Sequence, residues 1–455
     1  MKTVLKYVKT FFILIIAFNI LLFLSSLFPS SFIEKNVVKS SEVLMLEGNG
    51  PIINLRKLIK NDNYSDSIMI NECYSIDNKN PIFSYMSMRK NYKKGLTTKE
   101  LVDSKGELIS YSSEKVDEEY NPVRELKEFL NNKVTTSIEY ARYWHGYIIF
   151  LRVLLIFLDI KKIRLLLLFL FIILMLLLSY FLWNKLGKVY AIIFCFSLIA
   201  YDYMFVFYSL IYSPIYIVMM ISSLIILIRL DKIKDIYLLL FVVGCISSFV
   251  DLLTIPTITL DIPLLIYILY KQKNKEISAK QSIRIVIMAS IVWGVGYALT
   301  WITKWVMYDL IYHKNLIVSA MSQVKYRSFI SNNDFDEYRV FKRLFISNFE
   351  YLIFFIQCAI VVFIIVFIMN MKKYKININK SYIQEIIPIA MISLTPIIWY
   401  ALLSSHTMVH YEYTYKHLVT LLIGELICLK KIFVLDFKGV DKESEDSMKK
   451  TSKEQ

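Results

Sequence analysis

Ionisable side chains stand beside apolar blocks at a few places in this sequence, and each grouping suggests a chemistry. Asp66 lies in the stretch from Asn61 to Glu72, just ahead of Ser-Ile-Met-Ile. A carboxylate there serves as a catalytic acid or base, or else it or Ser65 caps a helix N-terminus. Glu72, six positions on, falls on another face if the segment is helical. Arg142 and His145, inside Tyr140-Ala-Arg-Tyr-Trp-His-Gly146, would share a helical face at i, i+3 and together hold a phosphate. An aromatic belt with a snorkelling arginine is the plainer alternative. Asp251 opens a stretch to Pro263 with two prolines, three threonines and two acids, breaking what would be a helical hairpin. It reads either as the lining of a wet cavity or as a tight turn with a solvated acid. Lys304 follows Trp301 and Tyr297 on one helical face, an ammonium against an apolar wall or a snorkelling lysine. His406 and His410 have the i, i+4 spacing of metal ligands, but without the intervening Glu of a zinc hydrolase. A divalent cation is therefore a weaker reading than phosphate or sugar contacts from His406, His410 and Lys416. No phosphate-cradling loop, nucleotide fingerprint or serine elbow occurs.

The elements that must carry these groups are membrane helices. Apolar residues make up 56% of the chain, with only 11 Gly and 9 Pro, more than one soluble core of this length buries. They come in blocks of roughly 18 to 20, enough at about 1.5 Å per residue to cross a hydrocarbon layer of about 30 Å. The formal charge of +15 does not mark a nucleic-acid binder, because the Lys and Arg residues sit in short clusters between apolar blocks, where they encode topology. The first block, 11–28, follows Lys2, Lys6 and Lys9 and reads as a retained anchor, since it lacks a small-x-small cleavage site. Residues 29–160 then form an extracytoplasmic domain, with helices expected at 63–77 and 122–132. Its closing stretch, 147–158, is apolar but short and contains Arg152, so it reads as an amphipathic helix lying in the outer interface.

With that helix on the surface, spans are expected at 165–183, 189–207, 209–228, 236–252, 258–270, 284–303, 351–371, 384–403 and 414–429. The clusters Lys185/Lys188, Arg229/Lys232/Lys234, Lys271 to Arg284, Lys372 to Lys380 and Lys430/Lys431 then share the cytoplasmic side, and only Lys161/Lys162/Arg164 falls on the other. The expected fold is thus an all-α integral membrane protein of about ten transmembrane helices, with a large first extracytoplasmic loop and an interfacial juxtamembrane helix. Residues 161–430 form the bundle, with an exterior loop at 306–350, and 431–455 a cytoplasmic tail, disordered from Asp441 onward. All five His residues lie on or beside the exterior face. Cys195, Cys245, Cys358 and Cys428 lie in apolar blocks, leaving Cys73 no disulfide partner in the exterior domain. Heavy use of Lys, Ile, Asn and Tyr points to an AT-rich bacterial genome and so to a bacterial cell membrane, both termini cytoplasmic.

This layout of one anchor, a large acid-bearing first loop, a short helix on the outer surface and a multi-helix bundle resembles the GT-C superfamily of membrane glycosyltransferases, which includes protein O-mannosyltransferases and aminoarabinose transferases. The resemblance lies in architecture and covers most of the chain. It implies transfer of a sugar from a polyprenyl-phosphate donor to an envelope glycan or protein, with no nucleic acid involved and membrane lipids as surroundings. It implies Asp66, with Glu72 second, as base on the acceptor hydroxyl, and Arg142, Lys304, Arg327 or Lys416 as contacts to the donor phosphate. The competing expectations are a transporter, flippase or polymerase component for envelope polysaccharide, and an assembly or sensory protein whose exterior domain binds a partner.

Overall fold

The computed structural model describes residues 2–50, 62–92, 121–131, 136–230, 232–233, 235–328, 374–378, 383–410 and 414–437. The expected span 351–371, Cys358 and the tail from Asp441 lie outside the described residues.

Helix α1 (Lys2–Leu27) is a continuous apolar rod. A polar domain follows, built from α2 (Ser31–Glu47), α3 (Asn63–Tyr74), α4 (Pro81–Ser87), β1 (Arg89–Tyr92), α5 (Pro122–Leu130) and β2 (Thr136–Glu139). β1 and β2 pair antiparallel with Arg89 opposite Glu139. Helix α6 (Ile148–Phe157) closes the domain, and the bundle continues with α7 (Ile160–Lys185), α8 (Lys188–Ala200), a 3-10 turn at Tyr203–Tyr208, α9 (Ser213–Arg229), α10 (Ile236–Val250), α11 (Ile258–Lys273), α12 (Ala279–Tyr312) and α13 (Leu316–Ser328). After β3 (Tyr374–Ile378) come α14 (Ile383–Ser393), α15 (Thr395–Leu402), α16 (Ser404–Val409), a 3-10 turn at Tyr415–Leu418, α17 (Val419–Ile432) and β4 (Phe433–Phe437).

The starts of these helices are written in their caps. Asp159 accepts from Lys162 N at 3.2 Å and Asp235 from Leu238 N at 3.0 Å, opening α7 and α10. Ser278 and Gln281 form a reciprocal capping box at the start of α12. Among the described residues, four helical stretches are long and apolar enough to cross a membrane: 4–27, α7, α12 and Gln384–Leu402. Helices α6, α8, α9 and α10 are apolar but shorter. The outer stripe of α7, with Leu165, Phe169, Ile173, Leu176 and Tyr180, is exposed along its length. An apolar face of that extent needs lipid to cover it, and the chain is a helical membrane protein.

Side-chain contacts gather the basic clusters at one end of the bundle. Lys6 pairs with Asp235 at 3.1 Å, Lys273 donates to the carbonyls of Lys185 and Leu186 at 3.1 Å, and Lys431 pairs with Glu385 at 2.6 Å. At this end β3 pairs antiparallel with β4, Lys375 opposite Asp436, so the first part of the expected tail, residues 433–437, forms a strand. The polar domain occupies the opposite end.

The short apolar stretch 147–158 forms α6, both ends of which touch the polar domain. Tyr147 at its start donates to Glu72, and Leu155 near its end accepts from Asn36 Nδ2 at 2.9 Å. Its fully buried Arg152 bonds the carbonyls that end two other helices, Phe28 O at 2.7 Å and Cys73 O. A guanidinium with its donors fixed in a fork suits that double duty. Helix α2 was not foreseen; it lays Ile33, Val37, Ser40, Ser41 and Leu44 against α6, α3 and α7.

Helices α10 and α12 approach closely where glycines face each backbone. A Cβ on Gly244 would stand 2.3 Å from Trp293 O, and one on Gly296 2.5 Å from Phe241 O. Gly244→Ala is therefore expected to force the helices apart at an overpacking cost of about 1–3 kcal/mol, read as a lower melting temperature in detergent. An unchanged Tm would mean that the two helices separate freely.

Candidate functional site

Asp66 sits in the first turn of α3, fully buried where the polar domain meets the bundle. It is not the helix cap. That place belongs to Asp62, whose carboxylate accepts from Ser65 N at 2.9 Å. Asp66 Oδ1 accepts from Leu210 N at 2.8 Å and Oδ2 from Arg164 Nη2 at 3.2 Å. Arg164 also binds Glu47, at 2.8 and 3.2 Å, and Asn63 Oδ1 at 2.8 Å, and it lies 4.1 Å over the Tyr208 ring. Tyr208 and Asn63 donate to Glu47 at 3.1 and 3.0 Å. One guanidinium thus serves two carboxylates, and the more enclosed of them holds its proton more tightly. Burial pushes Asp66 up to about 7, only partly offset by Arg164. At Glu47 burial is outweighed by the hydrogen bonds and charge of Arg164, with Asn63 and Tyr208 adding to them, so its carboxyl stays below the ordinary range. The result is a carboxyl group that changes charge near neutral pH.

The segment 201–213 ties this network to a second one. Its Tyr208 and Leu210 reach Glu47 and Asp66, while its Asp202 accepts from Tyr415 and lies 3.6 Å from Lys416 Nζ. Lys416 donates to Tyr415 at 2.8 Å and packs on that ring. Asp202 adopts φ 63°, a left-handed conformation that non-glycine residues adopt uncommonly. Lys416 is therefore neutralised by Asp202 and joined to Asp66 through one short piece of chain.

Arg142 and His145 do not share a helical face, because residues 140–146 are not helical and His145 turns at φ 54°. His145 is fully buried, with Nε2 at 2.8 Å from Tyr140 O and Nδ1 at 3.2 Å from Tyr147 OH and 3.4 Å from Glu72 Oε2. Glu72 therefore forms a buried cluster with Tyr147 and His145, away from Asp66, and its Oε1 has no hydrogen-bond partner. The Arg142 guanidinium lies 5.4 Å over the Tyr140 ring.

Asp251 is neither solvated nor lining a described cavity. It is 1% exposed and accepts from Thr254 N at 3.0 Å, Thr254 Oγ1 at 2.5 Å and Tyr297 OH at 3.2 Å. Thr254 thus closes the turn around the acid, where a break was expected. Lys304 is fully buried, donates to Tyr85 O at 3.1 Å, and stands 5.6 Å from the Trp144 ring. The aromatic wall comes from Tyr85 and Trp144, whereas Tyr297 and Trp301 meet at a tilt, 5.6 Å apart along α12.

Arg327, His406 and His410 do converge. Arg327 Nη1 donates to His406 Nδ1 at 2.8 Å, and the two imidazole rings are 4.7 Å apart. Burial, helped by Arg327, lowers His410 to about 3 and holds His406 well below its ordinary value. Both are therefore neutral, and Arg327 is the cation of this group. Among the described residues no three or more His, Cys, Asp or Glu side chains gather as metal ligands.

Of the groups at the site, Glu47, Arg164, Tyr208 and Asp202 were not singled out by sequence. The signal for Arg164 was present, as one of three cations, with Lys161 and Lys162, on the unexpected side of the charge pattern. Compared with protein-family models, curated proteins and solved structures, the chain matches none.

Proposed function

We propose that the chain is a GT-C-type membrane glycosyltransferase with about ten spans, whose polar domain faces away from the bacterial cytoplasm and whose termini lie inside. It moves a sugar from a polyprenyl-phosphate donor to an envelope glycan or protein. The observation that carries this reading is Asp66, an enclosed carboxyl poised near neutrality in the first loop. It takes the proton of the acceptor hydroxyl as that oxygen attacks the anomeric carbon. The bond from that carbon to the phosphate oxygen breaks, the electron pair leaves with the lipid phosphate, and the anomeric configuration inverts. Lys416, tied to Asp66 through the segment 201–213, and Arg327 meet the charge on the departing phosphate. Because Asp66 is fully buried, the hydroxyl reaches it when the strap of 208–210 moves aside.

The pH profile of transfer tests this. A base must be ionised, so the rate should fall about tenfold per unit below the Asp66 pKa of about 7 and level off above it. A flat profile from about pH 5 to 8 would exclude Asp66 as the base.

One feature favours the transporter reading. The span expected at 384–403 is interrupted, with α14 and α15 divided at Leu394 and α16 set off after Leu403. Discontinuous membrane helices are a transporter trait. Substrate flux without glycosylated product would support it.

A further inference from the structure

A separate cleft of about 500 Å³ opens between the paired strands β1 and β2 and the end of α12, lined among others by Arg89, Glu139, Arg142, Tyr308, His313 and Lys314. It shares no residue with the Asp66 network. Glu139 is its organiser. It accepts from Arg89 at 3.0 Å, from Lys314 at 2.8 and 2.9 Å and from Tyr308 OH at 2.5 Å. Burial alone would raise its pKa, yet these hydrogen bonds hold the carboxyl below its ordinary range. Arg89 and Lys314 also lie over the ring of Phe83, at 4.4 and 5.7 Å, so both cations are oriented twice.

The loop that presents Lys314 is fixed. His313 and Asn315, on either side of it, are both left-handed, with φ 52° and 55°. Asp309 grips the loop from within, accepting from Leu316 N at 2.5 Å and Ile317 N at 2.9 Å. Left-handed backbone at non-glycine residues persists where the surroundings hold it, and it gathers at ligand clamps. The charged heads remain reachable, since the side chains of Arg89 and Lys314 are 42% and 46% exposed.

Beside the cleft the surface turns apolar. Leu310 is 70% exposed and Val318 65%, and Ile311 and Met321 next to them are also exposed. A preformed cationic cleft bordering a strip of exposed aliphatic side chains fits a head group that is anionic and carries hydrocarbon. We propose that this cleft binds the phosphate of an anionic phospholipid whose acyl chains lie along the exposed edge of α12 and α13. Arg89 and Lys314 supply the charge-assisted hydrogen bonds, and Glu139 holds the two cations at the cleft wall while partly neutralising them.

The test is a titration of the full chain in detergent with short-chain phosphatidylglycerol, phosphatidylcholine of equal chain length, and inorganic phosphate. The protein should prefer phosphatidylglycerol over phosphatidylcholine at least about tenfold, and added salt should weaken the binding. Inorganic phosphate should compete only weakly, because it lacks the chains. Arg89→Gln with Lys314→Gln should lower the affinity at least about tenfold, whereas Glu139→Gln should raise it by freeing the cations. A misfolded variant would lose binding in both cases, so the opposite directions separate recognition from folding. Equal affinity for the two lipids, or no change in the double variant, would overturn the proposal. Inorganic phosphate binding as tightly as phosphatidylglycerol would overturn the lipid and leave a soluble phosphate as the ligand.

Discussion

Replacing Asp66 with Asn is expected to lower sugar transfer by at least about a hundredfold while the folded protein stays in the membrane, because a positioned general base contributes about 10²–10⁴. Asn keeps the volume and one acceptor but cannot take a proton. Arg164 remains occupied by Glu47 and Asn63. The stability side has a definite sign. Asp66 has a pKa of about 7 in the fold, above its ordinary 3.8. The folded state therefore binds this proton more tightly, and the stability so gained is complete below about pH 4 and lost as pH rises through about 7. Asn mimics the neutral form, so Asp66→Asn should melt no lower than wild type at pH 8. Transfer assays and thermal unfolding on the same preparation check both halves. Retained transfer in the variant would remove Asp66 from the chemistry, and a collapsed Tm would make its role structural.

Arg164→Ala is expected to be the most destabilising single change where α7 meets the polar domain. It leaves Glu47 and Asp66 facing each other with no cation between them, and removes the guanidinium over Tyr208 and the bond to Asn63. Removing one partner from a buried ion pair costs about 3–5 kcal/mol, because the other charge stays buried. Arg164→Lys should recover part of this, since one ammonium cannot reproduce the fork that reaches Glu47, Asn63 and Asp66 together. Adding Glu47→Gln and Asp66→Asn to Arg164→Ala should recover more, by removing the stranded charges, without restoring transfer. Folded yield and melting temperature in detergent are the readouts. A wild-type Tm in Arg164→Ala would show that water reaches this cluster and that the burial argument fails.

Much of the helical layout could be read in advance because lipid imposes a length and a composition on every span. Helices α7, α10, α11 and α12 fall where apolar blocks predict them, and α6 was separable from a span because it is short and carries Arg152. Helix α2 was legible in principle, since Ile33, Val37 and Leu44 recur at helical spacing, but its interspersed Glu and Lys residues hid the stripe. The break between α14 and α15 is announced by Pro396 in the first turn of α15. The site was only half visible. Asp66 could be picked out as a carboxylate beside an apolar run, but its partners Arg164 and Leu210 lie 98 and 144 residues away, and no periodicity reports such contacts. Asp251 misled for a related reason. An acid among prolines and threonines looks like a cavity lining until Thr254 and Tyr297 are seen to satisfy it.

The most direct measurement uses purified wild-type protein in proteoliposomes, supplied with labelled polyprenyl-phosphate sugars and with envelope glycan or protein acceptors. Labelled acceptor with inverted anomeric configuration, formed by wild type and not by Asp66→Asn, is the result expected. Movement of the labelled donor across the bilayer with no transferred sugar would contradict glycosyl transfer and leave a transporter in its place.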